Sequence, residues 1–590
     1  MITVEKITQG ELTLSFNYYQ DYINRVKSIG ARFNPDNKVW EISKESIYDL
    51  ERVFEGELFY KTPRWELLNE SPPDYSKLYK FDTPVNINSL GFKLKPFKYQ
   101  EFGIKFLIDR LMKNGMGFIC DDVGLGKTVQ AIGAFKYMFD NDLVKDLVIV
   151  CKKSLKSQWA EEIKKFVDID SDIYIIDKEK KKRFETYNTI NSNPNKTITI
   201  VNYHVLLKDS KELKPDMVIY DEVHEAKKYN GKINKACKVL TSNCKYCLFM
   251  TGTPIMSKPK DLYGIISIKE KKYFGGSYKK FEDRYLVIDR NGSYEKMIGY
   301  KNLNELRDKV QSLILRRTAN EVDIDLPEII EITKNVPVDS IQEEAISFVH
   351  SKLIDIENKI KKNKSIYNLN KDKEVLEKIN ELEGSLKGIY AIEQIIANSP
   401  RLLNYSKSNS IRYAYKKYTP DSNYLSSKYI CLLNIVEEVC AAGQKVIIFS
   451  KYETVVKHLC DFLLGYKIKS VPYFGAMNQD QRDESVRTFK YDNTVTAFIA
   501  TDAGAEGLNL QVANTVIHFD LPYNHAIKTQ RDGRARRAGS THSRVVSYSL
   551  LTEETRDEQI YKKIKESKRD FDIFVSANNE QSKVLKSLSN

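Results

Sequence analysis

Asp121–Gln130 reads DDVGLGKTVQ, and its flanks decide the fold. The four residues before it, Gly117–Cys120, are an apolar strand-like run, and VQAIGAFKYMF continues after it with helical spacing. Strand, glycine loop and helix in that order make a phosphate cradle. Gly124 and Gly126 let backbone N–H groups approach phosphate oxygens, and the helix N-terminus adds partial positive charge. Lys127 is placed to reach the β and γ phosphates of a nucleotide, and the Thr128 hydroxyl to bind magnesium. Asp121 stands where the strict G-x-x-x-x-G-K-[ST] pattern has glycine. The strand before and the helix after sustain the reading.

Two further stretches complete the set. Asp221–His224 reads DEVH after the apolar strand-like run Met217–Tyr220. A carboxylate at such a strand end is suited to hold magnesium, and its neighbour to orient and deprotonate an attacking water. Alone, the dipeptide reads as a solvated strand end; the phosphate loop upstream changes that. Gln530–Gly539 reads QRDGRARRAG. Arg534 and Arg537 share a face if the segment is helical, and arginines facing a γ-phosphate stabilise transition-state charge. Isolated, the same run reads as a basic surface.

The other α/β signals fall in two groups. Leu147–Cys151, Thr197–Val201 and Cys247–Met250 join the first runs, and Lys445–Ser450, Ser470–Phe474, Thr496–Thr501, Thr515–Phe519 and Ser543–Leu550 form the second group. Short apolar runs separated by amphipathic segments predict parallel sheets covered on both faces. Between the groups, Leu353, Ile356, Ile360, Leu376, Ile379, Leu382 and Leu386 keep helical spacing in a charged stretch, which predicts a helical insertion. Before them, Leu12, Leu14 and Phe16 alternate as a strand, Tyr18–Ile29 has helical spacing, and Val39–Ile42 returns as a strand. The fold class expected is α/β: two parallel-sheet lobes, a helical insertion and a small α+β N-terminal domain. The boundaries expected are 1–60 for the small domain, 61–88 for a proline-bearing linker and 89–335 for the first lobe. The insertion follows over 336–425, the second lobe over 426–576 and a polar tail over 577–590.

Composition narrows the class. At 590 residues the chain exceeds one core, and 42% hydrophobic with 29% charged residues is ordinary for a globular protein. No apolar run reaches the length of a membrane span, and MITVEKITQGEL lacks a secretory pattern, so a cytoplasmic, membrane-free protein is expected. Eight cysteines make no disulfide framework. Cys244 and Cys247 form CKYC, with only Cys237 near, and are expected to be small residues leading into a strand. A net charge of +13 permits a polyanion partner.

The motifs resemble, over roughly residues 90–565, the superfamily-two helicase-like ATPases of the Swi/Snf branch. LKPFKYQEFGIKFL is similar to the branch's opening motif, in which Gln100 would read adenine. CDDVGLGKTVQA matches the phosphate loop and implies nucleotide contacts from Asp122, Gly124, Leu125, Gly126, Lys127, Thr128 and Val129. VIVCKKSLKSQWAEEIKKF and ITIVNYHVL resemble motifs that touch a DNA strand, which implies Ser154, Gln158, Trp159 and Tyr203. YDEVHEAK matches the DExH box. FMTGTPIMSKPKDLYGI matches the coupling motif, in which Thr251 and Thr253 link hydrolysis to movement. LILRRTANEVDIDLP resembles the segment leaving lobe one. In lobe two, KVIIFSKYET, YFGAMNQDQRDESVRTF and IATDAGAEGLNLQVANTVIHFDLPYN follow in family order, implying Thr501 on the DNA track and Gly507 and Gln530 at the nucleotide. QRDGRARRAG supplies Arg534 and Arg537 as fingers. Ser257, Tyr523 and Ser540 depart from the branch's asparagine, tryptophan and glutamine.

LSFNYYQDYINRVKSIGARFNPDNKVWEI resembles a HARP domain, the module attached to annealing helicases. That likeness implies phosphate contacts from Arg25, Arg32 and Lys38, while Phe16, Phe33 and Trp40 read as core. Together the resemblances imply RecA-like lobes, ATP and Mg2+ as cofactors, and double-stranded or forked DNA as partner of a monomeric ATP-driven translocase. Displacement of proteins from DNA, a defence role, strand separation and an inactive scaffold are the alternatives. Lys359, Lys361, Lys362 and Lys364, and the run Arg412–Tyr418, read first as solvated faces and second as DNA grips.

Overall fold

The computed structural model describes residues 2–6, 11–16, 20–54, 58–60, 79–176, 179–252, 259–289, 296–318, 321–322, 326–370, 372–405, 411, 416–418, 420–421, 423–505, 508–537 and 540–575. Thr253, Ser257, Gly507, Arg412, Tyr413, Tyr415, most of the expected linker and the expected tail lie outside the described residues. The chain divides into two compact units, residues 1–324 with 569–590, and residues 325–568.

The N-terminal part builds a five-stranded sheet from β1 (Ile2–Lys6), β2 (Glu11–Ser15), β3 (Arg32–Asn34), β4 (Val39–Ser43) and β5 (Leu58–Tyr60), in the order β3-β4-β2-β1-β5. Its helix Gln20–Ser28 buries Tyr22 and Val26 against Leu12, Leu14 and Ile42, the inward positions of the alternating strands. The strand at Leu12–Phe16, the helix and the strand at Val39–Ile42 follow the sequence pattern. β1, β5 and the helix Ile47–Val53 carried no clear signal of their own.

The first lobe is a seven-stranded sheet. Its members are β6 (Met116–Ile119), β7 (Asp146–Cys151), β8 (Asp172–Ile175), β9 (Thr197–Asn202), β10 (Met217–Tyr220), β11 (Tyr246–Met250) and, after the hairpin β12 (Leu286–Asp289) and β13 (Lys296–Tyr300), β14 (Ile314–Leu315). The order is β14-β6-β11-β10-β7-β9-β8, parallel throughout. Alternate residues feed two cores. Phe118, Val150, Val218, Tyr220 and Phe249 face one, and Ile119, Ile149, Ile219, Leu248 and Met250 the other. Each such side chain, fully buried, contributes about 1.5–3 kcal/mol. The chain leaves β6 toward β7 and β8 at one edge and returns through β10 and β11 to β14 at the other, so the neighbours β6 and β11 send their connections in opposite directions, which opens a crevice at the carboxyl ends of the strands.

The second lobe contains β15 (Glu328–Val336), β16 (Val446–Phe449), β17 (Lys469–Tyr473), β18 (Val495–Ala500), β19 (Thr515–His518) and β20 (Arg544–Thr552), in the order β15-β20-β19-β16-β18-β17, again all parallel. β15 corrects the expected boundary at residue 335. It pairs with β20 along its whole length, so residues 328–336 belong to the second sheet. Its half-exposed residues and distant partner left no local signature.

The insertion is a helical hairpin, Ser340–Asn370 and Lys373–Asn398. Gln342 donates to Ile396 O at 3.0 Å, Tyr390 to Glu357 at 2.8 Å and Lys364 to Glu383 at 2.7 Å, pairings that run antiparallel. Among the lysines considered as a grip, Lys364 is therefore paired across the hairpin and Lys359 is paired with Asp355 at 2.7 Å, while Lys361 and Lys362 are exposed. Tyr418 is buried, and Lys417 bonds Glu344 at 2.9 Å.

Candidate functional site

The carboxyl ends of β6, β10, β11 and β7 bring the first lobe's expected residues together. Gly124 and Gly126 have φ of 96° and 68°, conformations open to glycine at little cost. A Cβ on Gly126 would lie 2.4 Å from Gln100 Nε2, so the loop is closed against that side chain. Gln100 Nε2 also faces Leu125 O at 3.4 Å, and its Oε1 accepts from Phe97 N at 3.0 Å. The helix Lys127–Asp140 starts directly after the loop. Lys127 Nζ donates to Asp121 O at 2.8 Å and to Asp122 O at 3.1 Å. Burial pushes its pKa down, opposed by the charges of Glu222, Asp121, Asp122 and Asp221. Leu125 and Val129 are buried, while Asp122 and Thr128 are half-buried.

Asp221 and Glu222 leave the end of β10. Trp159 Nε1 donates to Asp221 Oδ2 at 2.9 Å, and Tyr203 OH to Asp221 O at 2.8 Å. Burial first, then the charge of Glu222, pushes the Asp221 carboxyl above the usual carboxylate range. Burial acts on Glu222 in the same direction, but the hydrogen bond and charge of His224 and the charge of Lys127 outweigh it and hold Glu222 low. Glu222 has φ 50° and ψ 52°, a left-handed conformation that costs a non-glycine residue about 1 kcal/mol or more. Its Oε2 accepts from Thr251 Oγ1 at 3.3 Å and lies 3.1 Å from His224 Nδ1. Thr251, at the end of β11, thus touches the candidate base.

These donors suit a nucleotide triphosphate. The loop offers glycine-freed amides, a helix start and a half-buried ammonium resting on carbonyls it can exchange for phosphate oxygens. No cluster of three or more His, Cys, Asp or Glu residues that could hold a metal is found among the described residues. Cys244 and Cys247 are buried, and Cys244 Sγ donates to Tyr246 O at 2.7 Å. Among the described residues, no helix is long and apolar enough to cross a membrane.

Three residues expected at DNA make contacts within the chain. Trp159 is 2% and Tyr203 4% exposed, and both side chains serve Asp221. Arg25 lies 4.1 Å over the Phe54 ring and bonds Val53 O and Asp21, so it serves the small domain's own packing. Ser154, Gln158 and Thr501 are half-buried, and Arg32 and Lys38 exposed. Phe33, read as core, is 52% exposed, 5.4 Å from the Trp40 ring.

In the second lobe the helix His525–Asp532 ends at Gly533, so Arg534 and Arg537 follow it rather than share its face. Arg534 is buried and donates to Gln530 O and Leu508 O, both at 3.0 Å. Gln530 is itself buried. Arg537 is half-buried, its Nε 3.4 Å from Gly533 O. The residues the sequence did not single out are His224, Arg316 and Arg317. The last two stood in LILRRT, a quoted stretch with no role.

Two parallel α/β lobes, with a phosphate loop and acid pair on the first, are the arrangement of a nucleotide-binding, helicase-like core. The SNF2-related domain family matches residues 99–387, and the helicase conserved C-terminal domain family matches 427–539. The chain is a SWI2/SNF2-type superfamily-two ATPase. An uncharacterized ATP-dependent helicase of Mycoplasma genitalium is 27% identical over 472 residues, 78% of this chain and 40% of that protein. One from Mycoplasma pneumoniae is 25% identical over 596 residues, 94% of this chain and 52% of that protein. The chain therefore spans about half the length of these curated relatives. The Sulfolobus solfataricus SWI2/SNF2 ATPase core in complex with dsDNA aligns at 24% identity over 82% of this chain and 95% of that one, with a TM-score of 0.38.

Proposed function

We propose that the chain hydrolyses ATP at the first lobe's loop and uses turnover to move along duplex or forked DNA. The observation that carries this is the convergence of Lys127, Asp221 and Glu222 at the ends of β6 and β10, the two strands that flank β11, with Glu222 bonded to Thr251 of the coupling motif. Glu222 is the general base, its carboxylate held ionised and oriented by His224 and Thr251. Thr128 and Asp221 would hold magnesium, which supplies charge neutralisation at the phosphates. By the motif match alone, Arg534 and Arg537 are the candidates to stabilise charge on a transferring phosphoryl group. Ser154, Gln158 and Thr501 lie on the DNA track, where contacts to the phosphate backbone are independent of sequence.

The N-terminal HARP-like domain directs the motor to forks, for remodelling or reannealing. Its exposed Phe33, Arg32 and Lys38 support this reading, since an aromatic beside cations suits a nucleic-acid backbone with splayed bases. The test is steady-state ATP hydrolysis with no nucleic acid, single strand, blunt duplex and fork, at one salt concentration. Stimulation by duplex, and more by fork, is expected. Stimulation by single strand alone would replace translocation with strand separation, and none by any of them would point to a protein activator.

A further inference from the structure

The phosphate loop is gripped from far along the chain. Arg316 and Arg317 follow β14, the edge strand beside β6. Arg316 Nη1 donates to Cys120 O at 2.7 Å and Nη2 to Asp122 Oδ1 at 2.8 Å. Arg317 is fully buried and holds Asp121 through Nε at 3.1 Å and Nη2 at 2.5 Å. It also donates to Tyr99 O at 2.6 Å and Gln130 Oε1 at 2.7 Å. The backbone joins in, with Asp122 N donating to Arg317 O at 2.9 Å. Asp121 and Asp122 are the same two residues whose carbonyls seat Lys127 Nζ. One dipeptide is thus pinned by its side chains and carries the lysine on its backbone.

Charge makes the arrangement more than a brace. Burial raises the Asp122 carboxyl, and Arg316 is the first cation to pull it back, with Lys127 next. If Arg316 is removed, Lys127 becomes the nearest compensation for Asp122. An ammonium drawn to a carboxylate is withheld from a phosphate.

We propose that Arg316 and Arg317 are positioning residues of the nucleotide site: Arg317 fixes the loop's base through Asp121, and Arg316 occupies Asp122 so that Lys127 stays available to a phosphate. The inference rests on the reading that this loop binds ATP. It also gives Asp121, where the strict motif has glycine, a purpose as the anchor of the loop.

The test is a rescue. Mg-ATP is titrated calorimetrically into the full chain, and turnover is measured alongside. Arg316→Ala is expected to raise Kd and KM for ATP about tenfold, the loss of one charge-assisted contact, with kcat changed less. Adding Asp122→Asn to Arg316→Ala removes the competing carboxylate but keeps the backbone groups of Asp122 that seat Lys127 and bond Arg317, and is expected to recover most of that loss. A brace without charge logic would leave the double variant as weak as the single. Arg317→Lys keeps the charge but not the two-pronged grip, and is expected to raise KM with the fold retained by circular dichroism. If Arg317→Lys fails to fold, the Arg316 pair of variants still decides. An unchanged Kd in Arg316→Ala, or a double variant no better than the single, overturns the inference alone. A wild-type chain that binds no ATP overturns the nucleotide reading and this inference with it.

Discussion

The two lobes share an architecture but differ in how fully the acids at their strand ends are matched by cations. At the ends of the first lobe's strands, Asp221 and Glu222 crowd each other and Lys127 rests on backbone carbonyls, so the charges are incompletely compensated. In the second lobe, Asp532 accepts from His518 at 2.9 Å and Ser547 at 2.7 Å, and Lys528 reaches it at 3.1 Å and Glu331 at 3.0 Å. Burial would raise Asp532, but His518 and Lys528 outweigh it and hold it well below the ordinary range. Asp221 is shifted the other way. The first lobe keeps a charge imbalance that a phosphate and its cation can complete; the second uses closed ionic networks to fix its shape.

The largest test of that contrast lies in the first lobe. Lys127→Ala is expected to abolish ATP turnover. Glu222→Gln should keep ATP binding and lower kcat by up to about 10^4-fold, as expected for loss of a general base. Normal hydrolysis by Glu222→Gln would falsify its assignment as the base.

The second lobe's arginines come next. Arg537→Ala should lower kcat about 10^3-fold with the melting temperature unchanged, as for a lost arginine finger. Arg534 holds two backbone carbonyls, so Arg534→Ala should lower stability as well. A melting shift without a kinetic effect in both variants would make the pair structural.

Closed networks predict stability effects instead. Lys428 bonds Asp557 at 2.5 Å and Asn398 at 3.0 Å with no exposed side-chain surface. Lys428→Ala strands a buried carboxylate and should cost about 3–5 kcal/mol in denaturant unfolding. Unfolding curves that superimpose on the wild type would refute the claim that this lobe depends on paired charge.

The smallest effect concerns pH. Burial, and secondarily Arg401, depress His458 from 6.5 to about 4, and Tyr429 OH lies 2.8 Å from its Nδ1. The unfolded chain binds that proton first, so stability is present above pH 6.5 and is lost as pH falls toward 4. The loss should reach at most about 3 kcal/mol, and His458→Gln should flatten the dependence. A wild-type stability profile that is level across this range would contradict the burial argument.

Much of this was legible in the chain. Five first-lobe strands and five second-lobe strands were legible, most of them because central strands buried on both faces must be apolar throughout, while the edge strand β17 showed only as a short run. The edge strands β8, β14 and β15 did not, since their residues are half-exposed or too few. Trp159 and Tyr203 were placed on a DNA track because a motif marks that a residue is needed but not where its side chain points. Arg25 likewise carried a charge whose use is internal packing.

By itself, the sequence determined the order of the elements, the phosphate loop and the acid pair, because those depend on local spacing and strand–loop–helix succession. Only the tertiary structure decided that Arg317 anchors Asp121, that Trp159 orients Asp221, that Glu222 sits left-handed beside Thr251, and that β15 belongs to the second sheet. These are contacts between residues dozens to hundreds of positions apart. They arise because a buried charge must find its partner wherever folding places one, and no local pattern records that choice.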